Sequence, residues 1–114
     1  MPESLPIMKG MLDMLVLRAL RWTPMHGFQI VSWLEDQSRD RLEIEDSAVY
    51  QALYRLEERG LVAAEWGTTE NNRRARYYKL TPAGSTRLRT ETERWASYSR
   101  AVTEILGAAR RPAR

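Results

Sequence analysis

Gly60 separates two different segments of the chain. Before it, the apolar residues recur with the period of a helix, and after it, the composition is typical of strands. Before this point, residues 47–59 carry apolar side chains within a narrow arc of a helix, namely Val49, Ala52, Leu53 and Leu56. Gly60 stands where the end of a helix needs a left-handed residue, and Leu61 follows as the hydrophobic residue of that cap. Asp46 or Ser47 is expected to cap the start, because either side-chain oxygen accepts from a free backbone N–H. The sequence therefore predicts one well-defined helix over residues 47–59.

A β-hairpin and a long helix are predicted after this helix. Residues 61–69 and 75–81 are rich in Val, Trp, Thr and Tyr, which favours strands. The residues between them, 70–74, are all polar and include two asparagines, which favours a turn. Residues 81–82 are Thr-Pro, a cap followed by a proline at the first helical position, and they predict a helix over residues 82–108.

The first part of the chain is predicted to hold two more helices and one short extended segment. Apolar residues recur at helical spacing over residues 8–22 and again over residues 26–38, and residues 39–45 suit a turn that leads into an extended segment. In the first helix, Met14 and Leu17 are expected to point away from the main apolar stripe. A helix that is apolar on two sides needs two burial surfaces, so this side is predicted to face a partner chain.

Residue types that enzymes and metal sites require are absent or scarce. The chain of 114 residues has no cysteine, a single histidine and six dispersed glycines. Disulfides, thiolate nucleophiles, the usual zinc sites and phosphate-binding glycine loops are therefore excluded or disfavoured. The densest acidic residues are neighbours on a helix or lie beside arginines, so they do not form the paired carboxylates of a catalytic pocket. We expect neither catalysis nor a bound metal or cofactor.

Length and hydropathy predict one compact domain, since single domains commonly have about 100–150 residues. The apolar run at residues 14–17 is closed by Asp13 and Arg18, far short of the roughly 20 residues that a membrane-spanning helix needs. The sequence thus predicts no membrane segment and no signal-peptide core, and hence a cytoplasmic location.

The net charge of +3 conceals an asymmetry along the chain. Residues 1–69 carry 7 basic and 11 acidic side chains, whereas residues 70–114 carry 11 basic and 4 acidic ones. Of the 18 basic residues 16 are arginine, whose planar guanidinium suits phosphates and guanine edges. A solvated arginine-rich surface has the same composition, so charge alone does not decide between nucleic-acid binding and simple solubility.

The outward side of the helix over residues 47–59 and the predicted hairpin carry groups that suit DNA. The helix presents hydrogen-bonding side chains in place of the lysine–glutamate pairs of a plain solvated helix, namely Ser47, Tyr50, Gln51, Tyr54 and Arg55. The turn and the second strand add groups that suit phosphates, namely Asn72, Arg73, Arg74 and Arg76. We interpret these nine residues as candidates for contacts with base edges and the DNA backbone.

The order of the elements is that of a winged helix-turn-helix, a mainly α fold of the α+β class with a two-stranded wing and a long C-terminal helix. In this architecture the third helix enters the major groove and the hairpin lies on the backbone or in the minor groove. Residues 1–81 are predicted to form the DNA-binding domain, residues 82–108 the dimerisation helix of the same compact unit, and residues 109–114 a disordered basic tail. The alternative is a winged helix that docks proteins without binding DNA.

The predicted last helix has a heptad-like register. Leu88, Trp95 and Val102 are seven residues apart, and Glu91, Tyr98 and Ile105 each follow by three. Such a stripe suits packing against another helix. It predicts a homodimer interface made by Leu88, Trp95, Tyr98, Val102 and Ile105.

The sequence also resembles the PadR-like transcriptional regulators, in particular their short members with a single C-terminal helix. Three stretches carry the resemblance, which extends from about Leu5 to Leu106: residues 26–30 (HGFQI), 49–61 (VYQALYRLEERGL) and 73–81 (RRARYYKLT). The resemblance implies a homodimer formed through the first and last helices. It also implies a palindromic operator whose occupation usually represses transcription.

For some short members, the resemblance further implies a flat aromatic effector held in an apolar cavity at the dimer interface. Trp95 stands at the position of the tryptophan that forms the wall of that cavity. Met14 and Leu17 are candidates for other walls, and Ser99 occupies a position where some members have an acid, which disfavours a cationic ligand. The alternative for Trp95 is ordinary interface packing.

Overall fold

Three helices pack around one apolar core, and a hairpin and a long helix follow them in the chain. The computed structural model describes residues 3–113. The elements in chain order are β1 (Leu5–Pro6), α1 (Leu12–Ala19), β2 (Met25–His26), α2 (Gly27–Ser38), β3 (Leu42–Glu43), α3 (Asp46–Glu58), β4 (Val62–Thr68), β5 (Arg74–Leu80) and α4 (Pro82–Leu106). This order confirms the predicted winged helix-turn-helix, and the wing consists of β4, β5 and the turn between them.

Two small sheets hold the strands. The first is three-stranded and antiparallel in the order β2-β5-β4, and β1 and β3 form a separate parallel pair. The turn of the wing is closed by the Thr69 amide, which donates to the Arg73 carbonyl over 2.8 Å. Asn72 takes a positive φ of 60° in this turn, as the asparagine-containing sequence predicted. Because β2 directly precedes α2, its pairing with β5 fixes the wing against the start of α2.

The core lies between α1, α2 and α3 and is closed by the first residues of the wing and of α4. Its fully buried side chains include Val16, Leu17, Ile30, Val49, Leu53 and Leu56. Leu17 is only 1% exposed, so the prediction that it points away from the core is wrong. Leu88 is 7% exposed in the same core, so it packs within its own chain rather than lying on an outward stripe of α4. Leu17 and Leu88 each lie on a side of their helix that was expected to face outward. In both cases another helix of the same chain covers that side.

The ends of α1 and α3 differ from the predicted ones. The helix over residues 8–22 is reduced to Leu12–Ala19, because Gly10 has a φ of 86° and residues before it form a turn. The first helical residue of α3 is Asp46, preceded by Glu45 as N-cap without a side-chain hydrogen bond. Neither Asp46 nor Ser47 therefore caps α3, since both already belong to its first turn.

The end of α3 and the start of α4 agree with the predicted caps. Gly60 has a φ of 72°, and the Leu61 amide donates to the Leu56 carbonyl over 2.9 Å, which is the hydrogen bond of a Schellman motif. At the start of α4, the Thr81 hydroxyl accepts from the Gly84 amide over 3.0 Å. The Thr81 hydroxyl also donates to the Gly60 carbonyl over 2.7 Å, so the two caps are joined.

The second half of α4 projects from the domain and gives the molecule extents of 63 × 37 × 21 Å. Residues 92–106 of α4 are exposed or half-buried. After α4, residues 107–113 form neither helix nor strand; Arg114, the last residue of the predicted tail, and residues 1–2 of the predicted domain lie outside the described residues. No helix within residues 3–113 is both long and apolar enough to cross a membrane.

Candidate DNA interface

The outward side of α3 presents polar groups to solvent, as the sequence predicted. The side chains of Ser47, Gln51 and Tyr54 are exposed, opposite the four apolar residues that α3 buries in the core. Arg55 is also accessible, but its Nη2 atom donates to Asp13 Oδ1 of α1 over 2.7 Å. The pair is partly solvated, so it anchors the guanidinium weakly and leaves it able to exchange partners.

Tyr50 lies on the side of α3 that faces α2. Its ring covers Gly27, where a Cβ atom would come within 2.7 Å of the Tyr50 hydroxyl oxygen. Glycine at this position therefore allows α3 to approach the first turn of α2. Tyr50 remains half exposed, so it both packs between the helices and borders the solvent.

His26 organises the start of α2 as a capping residue. Its Nδ1 atom accepts from the Gln29 amide over 3.3 Å, and Gln29 Oε1 accepts from the His26 amide over 3.0 Å. These reciprocal bonds form a capping box, which requires an unprotonated Nδ1. The His26 ring also meets the edge of the Tyr77 ring, with centroids 5.3 Å apart, so the capped start of α2 contacts β5 directly.

The arginines of the wing have different environments. At the tip, Arg73 and Arg74 are exposed, and the guanidinium carbon of Arg74 lies 4.6 Å from the centroid of the Trp66 ring. Nearer the base, Arg76 Nη2 donates to Glu57 Oε2 of α3 over 2.8 Å, and this hydrogen bond raises the pKa of Arg76. The predicted DNA-contacting arginines are thus of two kinds, and Arg76 connects the wing to α3.

The adjacent Tyr77 and Tyr78 point to opposite sides of β5, as strand alternation requires. Tyr78 is buried in the core, and this burial raises the pKa of its phenol. Tyr77 lies over Gly67 of β4, where a Cβ atom would come within 2.7 Å of its ring. Tyr78 therefore belongs to the side of the sheet that faces the core, and Tyr77 lies on the opposite side.

An open groove of about 1010 Å³ separates the first half of α2 from the wing. Tyr50 of α3 borders it, together with Arg73 and Arg74 of the wing, so the groove brings parts of both predicted DNA-contacting elements together. Phe28 and Trp66 also line it, and the sequence reasoning did not identify either. The hairpin register is the signal that could have identified Trp66. Thr68 pairs with Arg74, so Trp66 is the diagonal cross-strand neighbour of that arginine on the same side of the sheet.

The predicted effector residues are only partly brought together. Met14 and Trp95 line a cavity of about 250 Å³ between the α1 region and α4, and Tyr98 stacks on Trp95 with centroids 6.3 Å apart. Leu17 is buried in the core and does not reach this cavity. Ser99 lies outside it as well, and its hydroxyl donates to the Ala96 carbonyl of its own helix.

The predicted dimer residues Trp95, Tyr98, Val102 and Ile105 are accessible on α4. Their spacing of three and four residues places them on one stripe of the helix.

Within residues 3–113, no group of three or more His, Cys, Asp or Glu side chains is arranged to hold a metal ion.

Comparison with known proteins identifies the family. The model of the transcriptional regulator PadR-like family matches residues 16–90, which is well over half of the chain. A PadR family transcriptional regulator from Eggerthella lenta is 33% identical, with a TM-score of 0.75 over 88% of this chain and 85% of that chain. A PadR family transcription regulator from Clostridium difficile is 26% identical, with a TM-score of 0.72 over 86% of this chain and 100% of that one.

A protein from Streptococcus mutans shares the fold at 23% identity, with a TM-score of 0.81 over 95% of this chain and 97% of that chain. This likeness covers nearly the whole chain, whereas the match to the family model ends at residue 90, within α4. The chain belongs to the PadR-like family, and it is therefore a DNA-binding transcriptional regulator rather than an enzyme.

Proposed function

We propose that this regulator represses transcription by binding a palindromic operator as a homodimer, with α3 in the major groove and the wing tip on the backbone. The observation that carries the proposal is the adjacency of two surfaces. Tyr50 of α3 borders the same groove as Arg73 and Arg74 of the wing, and α3 exposes further donors and acceptors to solvent. Mixed donors and acceptors suit base edges, whereas the guanidinium groups of Arg73 and Arg74 suit phosphates.

Dimerisation is supported by the uncovered apolar stripe on the second half of α4. This helix has 25 residues and is about 37 Å long, but its buried residues, Gly84 and Leu88, both lie in its first two turns. The stripe from Trp95 to Ile105 then continues into solvent, and Ile105 is 73% exposed. A second copy of α4 would cover this stripe, in agreement with the homodimer that the family resemblance implies.

A flat aromatic effector between the subunits is the third part of the proposal. Two cavities are lined by both Trp95 and Met14, one of about 250 Å³ and one of about 600 Å³, and ligand pockets begin at roughly 300 Å³. A symmetric partner that brought a second such cavity to the first would give room for a planar molecule between two tryptophans. Such a molecule should quench the fluorescence of the unmodified protein more than that of Trp95→Phe, whereas equal quenching in both would contradict the role of Trp95.

Selection of bound duplexes from a random library, with the full chain, tests the operator. Two-fold symmetry predicts an inverted repeat with half-site centres about 10 bp apart or a multiple of that spacing. Gln51→Ala should lower discrimination at one base pair of each half-site by ~1–3 kcal/mol, the cost of a lost bidentate contact. The matched control is Gln37→Ala, at an exposed position of α2, and this variant should select the same repeat. Recovery of sequences without symmetry, or unchanged specificity in Gln51→Ala, would contradict the proposal.

A further inference from the structure

The groove between α2 and the wing has a large exposed aromatic side chain on each wall. Phe28 of α2 is 64% exposed and Trp66 of β4 is 61% exposed, and both line the groove of about 1010 Å³. The core of the domain uses neither ring. Two exposed aromatic rings in one concave surface indicate a contact site, because scattered single apolar residues are ordinary whereas a shared patch is not.

Trp66 also orients a basic group toward this groove. The guanidinium of Arg74 stacks on its ring, 4.6 Å from the centroid, and both residues line the groove. Stacking on an aromatic ring restricts the conformers of the arginine without neutralising its charge. The wall therefore combines a fixed cation with an apolar surface, and Arg73 adds a second cation at the same rim.

The groove is continuous with α3, because Tyr50 borders it from that helix. A DNA strand that passes from the major groove at α3 to the wing tip has to cross the space between them. The carboxylates that line the groove, Asp36 and Glu70, come from the later part of α2 and from the wing turn. A sugar-phosphate strand fits the aromatic rings and the arginines of this groove, since the deoxyribose offers apolar C–H groups and the phosphates offer negative charge.

We propose that the groove holds one sugar-phosphate strand of the bound duplex, with Phe28 and Trp66 packed against deoxyribose and Arg74 on a phosphate. The inference rests on the DNA interface proposed above and adds α2 and β4 to it. Phe28 and Trp66 contact the DNA, and Trp66 in addition positions Arg74.

Salt dependence separates the two kinds of contact. Each phosphate that an arginine neutralises releases counterions and contributes about −0.9 to the slope of log K against log salt. An apolar contact with deoxyribose releases none, so its loss weakens binding at every salt concentration without changing the slope. Phe28→Ala is the cleanest variant, since alanine is the better helix former and Phe28 is not part of the core.

The experiment measures the affinity of the full chain for a fluorescent random-sequence duplex over a series of salt concentrations. Phe28→Ala should bind roughly tenfold more weakly with an unchanged slope, the loss expected for one aromatic contact. Trp66→Ala should weaken binding at least as much, and Trp66→Phe should restore part of it because a ring remains. Arg74→Ala should make the slope shallower by ~0.9.

Trp22→Ala is the matched control. Trp22 is 71% exposed and carries its own stacked arginine, Arg18, at 4.4 Å, but it does not line the groove. This variant should bind DNA like the unmodified protein, and thermal melts should show that all variants are folded.

Phe28→Ala and Trp66→Ala proteins that are folded and bind as tightly as Trp22→Ala would overturn the inference. The proposed interface would survive that result if Arg73→Ala with Arg74→Ala still flattened the salt slope. Loss of a self-associated species in the groove variants, with DNA affinity unchanged, would also overturn it and assign the groove to a protein contact. Absence of duplex binding by the unmodified protein would contradict both proposals together.

Discussion

At the scale of single residues, Gly84 determines how closely α4 can approach the end of α3. A Cβ atom at this position would collide with the backbone carbonyl oxygen of Leu61. That oxygen already accepts from the Thr81 amide over 3.1 Å, so it cannot move without loss of this hydrogen bond. Glycine is required here by close approach of two backbones, since Gly84 itself is in an ordinary helical segment.

Gly84→Ala should therefore destabilise the protein in spite of the higher helix propensity of alanine. Overpacking of a rigid contact costs ~1–3 kcal/mol, which exceeds the roughly 1 kcal/mol that alanine gains over glycine in a helix. Urea denaturation measures the difference in the free energy of unfolding. Ser85→Ala, at the exposed neighbouring position, is the control and should leave stability unchanged or slightly higher. A Gly84→Ala protein as stable as this control would show that α4 shifts freely.

At the scale of elements, the wing has a tip that is available to DNA and a base that is tied to α3. Arg76 at the base faces Glu57 at 2.8 Å, whereas Arg73 at the tip has no ion pair within residues 3–113. A guanidinium that is already neutralised by a carboxylate releases few counterions when DNA binds. The three arginines of this short segment, Arg73, Arg74 and Arg76, are therefore not equivalent in binding.

We expect Arg76→Ala to change the salt slope of DNA binding by much less than the ~0.9 expected for one lost phosphate contact, and Arg73→Ala to give the full change. Because the Arg76–Glu57 pair is partly solvated, its loss should change stability little. Titration of a labelled duplex at several salt concentrations measures both slopes. Equal slope changes in the two variants would place Arg76 on the DNA and contradict the division of the wing.

The elements were predictable wherever a period or a cap is local in the sequence. The arc of Val49 to Leu56, the Gly60 cap and the Thr81 cap all depend on neighbours a few residues away, and these predictions are confirmed. Leu17 and Leu88 were misplaced because spacing shows which residues share a side of a helix but not which element covers that side. Two-residue strands such as β2 are too short to show any alternation, so their pairing depends on contacts distant in sequence.

The candidate DNA interface follows from the sequence as a set of chemical groups but not as an arrangement. The residue types on α3 and at the wing tip follow directly from the sequence. The partners of Arg55 and Arg76, by contrast, come from Asp13 and Glu57, 42 and 19 residues away along the chain. The distinction between an arginine held by the protein and one available to a phosphate is therefore a property of the tertiary structure.

At the scale of the whole molecule, the projecting half of α4 makes the shape elongated and leaves an apolar stripe uncovered. The longest extent, 63 Å, is three times the shortest, because residues after Trp95 extend beyond the domain. The end of α4 exposes the apolar side chains of Val102, Ile105 and Leu106 to water. Such a helical segment is weakly stabilised unless another surface packs against it. The proposed homodimer supplies that surface and sets the distance between two copies of α3.

Val102→Asp combined with Ile105→Asp should break the dimer. Each carboxylate would be buried without a partner in the α4 interface, at a cost of several kcal/mol, so the dissociation constant should rise at least about 100-fold. Sedimentation velocity over a range of protein concentrations measures the shift. Ala96→Asp with Thr103→Asp is the matched control, because it adds the same two charges to the other side of exposed α4.

The same variant tests whether the dimer is the DNA-binding form. Two linked copies bind two half-sites with a high effective concentration for the second contact, and separated copies lose this advantage. Val102→Asp with Ile105→Asp should therefore bind a full inverted repeat hardly better than a single half-site, whereas the control pair of substitutions should keep the preference for the repeat. If the unmodified protein sediments as a monomer at micromolar concentration, or if the variant still prefers the full repeat, then α4 does not bring the two recognition helices together.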